Sequence, residues 1–358
     1  MEKVRLVEDT LVEGLFGHIV IGNVFWSQFG QYLDQYLCVA EKEICAKIDQ
    51  VLLHHSLNKF PVSGPHLKNV LVWLKNCYSN HGKQLSSEAM SLLEAVTKRP
   101  EPVFIYKTLN RNPGLNPLRG NVTLMEENDI IGHGTTGLTS WQGALFLTDW
   151  LLANGQTLLQ DKRIIELGCG PGFLGLHLLS NFNISQYIFT DGHPEVLKAI
   201  KFNLQLNNGG FDHLSYKDFE EFAHQGYPQI NTVHHKWRPT DCESEALVEK
   251  LDWLEPVIDK SWQGIQIILG ADIVYERSLI PPLCQVLVVL LKQNSQNQCK
   301  ALISCTERSA TTLNCFETSL TDVNLKFSVV GRGFFTPAES LLCSDVLHQA
   351  TRIYEIQL

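Results

Sequence analysis

The sequence has no run of lysine or arginine, no Cys-x-x-Cys pair and no apolar stretch long enough to cross a bilayer. With a formal net charge of −9 over 358 residues, the first absence argues against a broad electrostatic footprint for nucleic acid. The ten cysteines are scattered, which suits reduced thiols in a cytoplasmic protein and neither a disulfide framework nor a zinc site. The histidine pairs His54-His55 and His234-His235 lack metal-ligand spacing, so no metal is expected. The longest mainly apolar run, Leu283 to Leu291, follows two prolines and is too short for a span, so no membrane role is expected. The stretch from Met1 to Leu15 is acidic and interrupted, which predicts no secretory leader. No internal repeat or low-complexity tract is visible.

What is present describes an ordinary globular chain: 44% of residues are hydrophobic, enough for a full core. Residues 1–100 carry helix-period apolar patterns, as in Trp26 to Val39 and Leu67 to Cys77. Ser86-Ser87-Glu88 opens a further helix to Lys98, with a serine placed to cap it. These residues are expected to form a helical N-terminal domain, either a cap for substrate recognition or helices that complete a core. Residues 101–121, rich in proline and glycine, read as a connecting segment.

From residue 122 to 358 strands and helices alternate. Helix Trp141–Leu152 is followed by strand Arg163–Leu167, helix Leu174–Leu179, strand Tyr187–Asp191 and helix Pro194–Leu206. A polar strand Thr232–Trp237 then leads to helix Glu243–Leu254, strand Ile265–Gly270, helix Ile280–Lys292, strand Lys300–Cys305 and a helix near Thr311–Thr321. Two closing strands, Lys326–Val330 and Arg352–Leu358, predict an antiparallel hairpin at one edge. The expectation is an α/β fold: a doubly wound, mostly parallel sheet covered on both faces.

The segment Ile164-Ile-Glu166-Leu-Gly168-Cys169-Gly170-Pro171-Gly172-Phe173 carries the chemistry. A short apolar strand ends in an acid, and glycines at every second position let the backbone turn sharply and approach a ligand. The following helix points its free N–H groups at that ligand. Asp191 ends the next strand about twenty residues later, where a doubly wound sheet places an acid to hold ribose hydroxyls. Both features are shared with dinucleotide enzymes, so on spacing alone the ligand stays open.

A second constellation closes the strand Ile265-Gln-Ile-Ile-Leu-Gly270-Ala271-Asp272-Ile-Val-Tyr275. Ligands of open α/β sheets bind at the carboxyl ends of strands. An Asp and a Tyr three residues apart there suit an ammonium group, by charge, hydrogen bonding and the ring face. A helix-capping Asp beside a packed Tyr is the structural alternative.

Glu-Leu-Gly-Cys-Gly-Pro-Gly resembles the first motif of the seven-β-strand methyltransferases. Gly-Ala-Asp-Ile-Val-Tyr resembles the Asp-x-x-Tyr motif of their family 16 protein-lysine methyltransferases. The run Gly134-Thr-Thr-Gly-Leu-Thr-Ser-Trp141 is similar, more narrowly, to members that act on eukaryotic elongation factor 2. The resemblance is specific from about Ile130 to Leu291. It implies a seven-stranded Rossmann-like domain over 122–358 that binds S-adenosyl-L-methionine and methylates a lysine of a protein substrate, elongation factor 2, as a monomer. It implies cofactor contacts at Trp141, Gly168, Gly170, Trp237 and Ala271, with Trp253 a rival for the place of Trp237. The glycine turn and the next strand add Glu166, Asp191 and Cys169, the last either a contact or only a small side chain that fits the turn. It gives the catalytic roles to Asp272 and Tyr275. No Asn-Pro-Pro-Tyr or Asp-Pro-Pro-Tyr stands after the fourth strand, which counts against adenine and glutamine substrates. A small-molecule methyltransferase and a non-catalytic binding protein of the same fold remain the alternatives.

Overall fold

The computed structural model describes residues 64–98, 103–109, 122–127, 133–232, 234–237, 244–333 and 349–358. The helix expected over Trp26–Val39 lies outside them. In chain order the elements are α1 (Gly64–Asn80), α2 (Ser87–Thr97), β1 (Phe104–Leu109), β2 (Val122–Glu127), α3 (Gln142–Asn154), β3 (Arg163–Leu167), α4 (Phe173–Asn181), β4 (Gln186–Asp191), α5 (Pro194–Asn207), α6 (Tyr216–Gln225), β5 (His234–Trp237), β6 (Ser244–Lys250), β7 (Ile267–Ala271), α7 (Ile280–Gln293), β8 (Lys300–Thr306), α8 (Ala310–Asp322), β9 (Lys326–Gly333) and β10 (Thr351–Gln357).

The chain divides into two compact units, one holding residues 1–128, 211–226 and 341–346, the other holding the rest. In the first, the Ser86 hydroxyl caps α2 by accepting from the Ala89 N–H at 3.1 Å. The segment expected to be a connector contains β1, which pairs antiparallel with β2. Two aromatic residues join this hairpin to α6: the Tyr106 ring meets Phe219 edge-on at 5.7 Å, and its hydroxyl donates to the Phe219 carbonyl at 3.2 Å.

The second unit is an eight-stranded sheet in the order β5-β6-β4-β3-β7-β8-β10-β9. Its central five strands, β6 to β8, run parallel. The closing hairpin of β9 and β10 is antiparallel at one edge, as the sequence predicts. Seven of the strands are those expected from the sequence, among them β5, which pairs antiparallel with β6 at the other edge; β6 is the eighth.

Alternation along β8 assigns the faces. Ala301, Ile303 and Cys305 join the cluster built by Leu283, Leu287 and Leu291 of α7. From the opposite face the Ser304 hydroxyl donates to the Gly143 carbonyl of α3 at 2.8 Å. The central strands are thus covered on both faces, while β9 at the edge is largely exposed.

One stretch departs from expectation. Residues 244–250 form β6 and not a helix, and they pair in parallel with β4 from Gln186↔Glu245 to Asp191↔Lys250. Glu, Ala, Leu and Lys favour a helix in isolation, but Ser244, Ala246 and Val248 alternate into the core, and the open edge of β4 takes that face.

Candidate active site

Five parallel strands end on one side of the sheet, and the loops that follow them enclose a cavity of about 660 Å³. Gly168 and Gly170 come from the β3–α4 turn, Asp191 to His193 from the end of β4, and Leu251 to Trp253 from the end of β6. The loop after β7 supplies Ala271, Asp272, Ile273 and Tyr275, and the loop after β8 supplies Arg308. Gly134 to Gly137, Thr139 and Trp141, ahead of α3, close the remaining side. This is the crevice where an open α/β sheet takes its ligand.

Gly170 adopts φ +55°, a left-handed conformation that side chains disfavour. A Cβ there would lie 3.3 Å from the Gly137 carbonyl oxygen, so the glycine turn and the Gly134–Trp141 loop face each other at close range. The Trp141 indole N–H donates to the Thr136 carbonyl at 2.9 Å and so fixes that loop.

Asp191 accepts the His193 N–H at 2.9 Å. Burial pushes its pKa up to about 6, against the pull of backbone hydrogen bonds from His193, Gly170 and Gly192. His193 then caps α5 through its ring nitrogen, which accepts the Glu195 N–H at 3.3 Å.

Asp272 is the most heavily bonded carboxylate of the cavity. Its Oδ1 accepts the Thr306 N–H at 2.8 Å. Its Oδ2 accepts the Gly143 N–H at 2.8 Å, the Thr306 hydroxyl at 2.9 Å and Nη2 of Arg308 at 3.0 Å. With its side chain 3% exposed, the carboxylate accepts four hydrogen bonds, three of them crowded on Oδ2. Its backbone sits at φ +53°, a strained value for a residue with a side chain. Gly143 is required opposite it, because a Cβ there would meet the Asp272 carboxyl carbon at 2.7 Å. Asp272 therefore ties together the start of α3, the end of β7 and the end of β8. This bonding pattern suits a positioning role for the carboxylate beside the direct one that the sequence suggests. Tyr275 lies at the cavity rim, 56% exposed. Partial burial, then the charges of Asp191 and Glu276, raise its pKa, so it remains a protonated donor at neutral pH.

The fold thus brings Trp141, Gly168, Gly170, Asp191, Ala271, Asp272 and Tyr275 to one cavity. Three expected residues do not line it. The Glu166 carboxylate is buried behind the turn, where it accepts the Tyr187 hydroxyl at 2.7 Å, and burial pushes its pKa up to about 8. The Cys169 thiol is buried too, with its N–H on the Thr190 carbonyl at 2.9 Å. Trp237 is fully buried in β5 and pairs with Ser244 at the start of β6. That is the amino end of the parallel strands, opposite the cavity, so of the two tryptophans it is Trp253, which follows the carboxyl end of β6, that lines the cavity. Reading β6 as a helix concealed this. Arg308, 36 residues beyond Asp272 in sequence, carries no signal that composition or motif could have revealed. Among the described residues no group of His, Cys, Asp and Glu is arranged to hold a metal ion.

The family described as lysine methyltransferase matches residues 121–224 and 228–321, more than half of the chain. The chain belongs to this lysine methyltransferase family. The protein-lysine N-methyltransferase EEF2KMT of Bos taurus is 27% identical over 253 residues, 70% of this chain and 68% of that one. The protein-lysine N-methyltransferase EFM3 of Chaetomium thermophilum is 29% identical over 243 residues, 66% of this chain and 62% of that one. An uncharacterised protein of Dictyostelium discoideum is 36% identical over 210 residues, 57% of this chain and 54% of that one. The match thus covers between 54% and 68% of these relatives' own lengths.

Proposed function

We propose that this lysine methyltransferase family member transfers methyl groups from S-adenosylmethionine to a lysine side chain of elongation factor 2. The observation that carries the reading is the cavity itself. A glycine turn without side chains at Gly168 and Gly170, an acid at Asp191 and the Trp253 ring converge on it from the ends of adjacent strands. That set fits a nucleoside with an amino-acid tail: the carboxylate for ribose hydroxyls, the ring for the base, and the turn for the chain that a Cβ would displace. S-adenosylmethionine, when bound, supplies an electrophilic methyl group.

The protein's own task is positioning, since a displacement at carbon needs alignment more than acid–base help. Tyr275 at the rim directs the incoming amine by its hydroxyl and ring face. Asp272 acts behind it, holding the loops on which Tyr275 and Arg308 are mounted. The resemblance of Gly134 to Trp141 to members acting on elongation factor 2 supports that substrate, as do the names of the relatives. The N-terminal unit serves substrate recognition, and the protein works as a monomer in the cytoplasm. No helix among the described residues is long and apolar enough to cross a membrane.

The direct test is to incubate the full chain with elongation factor 2 and isotopically labelled cofactor, then to map the label by mass spectrometry. Label on a lysine is expected. Label only in small molecules would move the substrate class, and no label at all would favour a binding protein. Within that assay Tyr275→Phe should lower turnover roughly tenfold or less, the worth of one hydrogen bond. Tyr275→Ala should lose roughly tenfold more, because the ring face goes with it.

A pH titration tests Asp191. Ribose hydroxyls donate to the ionised carboxylate, so binding favours the charged form and lowers the pKa in the complex. Affinity for the cofactor should therefore be full above about 6 and fall, by up to about tenfold per pH unit, as the pH drops below that value. Asp191→Asn should flatten the profile, and Asp191→Ala should weaken binding by about 1–3 kcal/mol at neutral pH. A wild-type profile that is flat between pH 5 and 7 would remove Asp191 from the site.

A further inference from the structure

The charges that line the cavity are unevenly shared. Asp191, Asp252 and Asp272 are acidic, while Arg308 is the one Lys or Arg among the described lining residues. Its guanidinium is held on two sides. Nη2 donates to Asp272 at 3.0 Å, and the group's central carbon lies 5.2 Å from the centre of the Trp141 ring, over its face. The side chain is nevertheless 39% exposed, and it lines the same cavity as Gly170 and Thr136.

Such an arrangement is more elaborate than bracing Asp272 requires. That carboxylate already accepts two backbone N–H groups and a hydroxyl. A guanidinium presents five N–H donors in a rigid planar fork that suits bidentate pairing with a carboxylate. Fixing one arm on Asp272 and one face on Trp141 removes the rotamer freedom that an arginine otherwise loses on binding. The remaining donors are thereby oriented before any ligand arrives.

We infer that Arg308 is a preorganised carboxylate receptor of this cavity. The inference rests on the cofactor reading, because the amino-acid tail of S-adenosylmethionine ends in such a group. An acidic side chain next to the target lysine is the other source of the same chemistry. In either case Arg308 binds and orients, and Asp272 and Trp141 set its direction. Arg308→Lys keeps the charge but neither the fork nor the stacking, so it restores the function only in part.

Calorimetric titration of the full chain separates the sources, using S-adenosylhomocysteine and 5′-methylthioadenosine as probes. The second has the same nucleoside and sulfur but no carboxylate. Arg308→Gln should weaken S-adenosylhomocysteine by about tenfold or more while 5′-methylthioadenosine keeps its wild-type affinity, with Arg308→Lys between. If both affinities hold but KM for the protein substrate rises about tenfold at unchanged kcat, the carboxylate belongs to the substrate, and Arg308 remains its receptor. Equal weakening of both nucleosides would overturn the inference and leave Arg308 as a brace for Asp272 and Trp141. So would a variant that changes neither the two affinities nor KM. Wild type that binds neither nucleoside would instead overturn the cofactor reading, a result that no comparison between variants could imitate.

Discussion

Replacing Asp272 with alanine should cost both stability and turnover, with stability falling by about 3 kcal/mol. The carboxylate accepts from Gly143 N–H, Thr306 N–H, the Thr306 hydroxyl and Arg308. Its loss strands two backbone donors in a buried site and leaves a cation without its partner. Removing one member of a buried pair costs about 3–5 kcal/mol, and the partial exposure of Arg308 argues for the lower end. In a domain of this size that shifts the midpoint of thermal unfolding by roughly 6–12 °C. Turnover should be nearly abolished even at temperatures where the variant is folded, because the loops carrying Tyr275 and Arg308 lose their common anchor. A thermal scan beside a turnover measurement checks both halves. A variant that unfolds at the wild-type temperature yet has lost kcat would return Asp272 to the direct role of holding the lysine ammonium.

That expectation differs from the one that the sequence alone supports, and the difference shows where sequence reasoning stops. Gly-Ala-Asp-Ile-Val-Tyr at the end of a strand places Asp272 at the cavity correctly, since the rule about carboxyl ends is topological. Whether the carboxylate is free is another matter. It is decided by Gly143, Thr306 and Arg308, which lie 129, 34 and 36 residues away in sequence. No local pattern brings those residues together.

The same limit explains Trp237 and Trp253. Both follow short segments with strand or helix character, and the choice depends on which segment pairs with β4. Ser244-Glu-Ala-Leu-Val-Glu-Lys250 has the composition of a helix and the burial of a strand. Only the free edge of β4 resolves the conflict. By contrast, β3, β4, β7 and β8 are continuous apolar runs bounded by turn residues, as strands buried on both faces should be. Their parallel direction follows from the alternation with helices, so these four strands are legible in the sequence, whereas β6 and the order of the strands are not. The glycine turn is legible for a further reason: the positive φ of Gly168, Gly170 and Gly172 limits which residues can stand there.

Gly170→Arg should abolish measurable cofactor binding while the chain stays folded. Gly170 lies at the cavity wall and not in a packed core, at φ +55° with a Cβ position 3.3 Å from the Gly137 carbonyl oxygen. An L side chain in that conformation costs about 1–2 kcal/mol, and the Gly134–Trp141 loop must give by a few tenths of an ångström. A domain of ordinary stability tolerates both. The ligand does not, because the arginine side chain fills the space above the turn where the amino-acid tail of the cofactor would run. The new cation also faces the positive sulfonium, which adds repulsion in a partly enclosed site. Calorimetry with S-adenosylmethionine should therefore give no detectable heat from a variant whose circular dichroism stays near wild type and whose unfolding temperature falls by roughly 2–8 °C. Gly170→Ala separates the two causes: it carries the same backbone strain with almost no added volume, so it should bind the cofactor with modestly reduced affinity. Equal loss in both variants would mean that the conformation of the turn, and not the space above it, is what the ligand requires. Unchanged binding in Gly170→Arg would place the cofactor somewhere other than this turn.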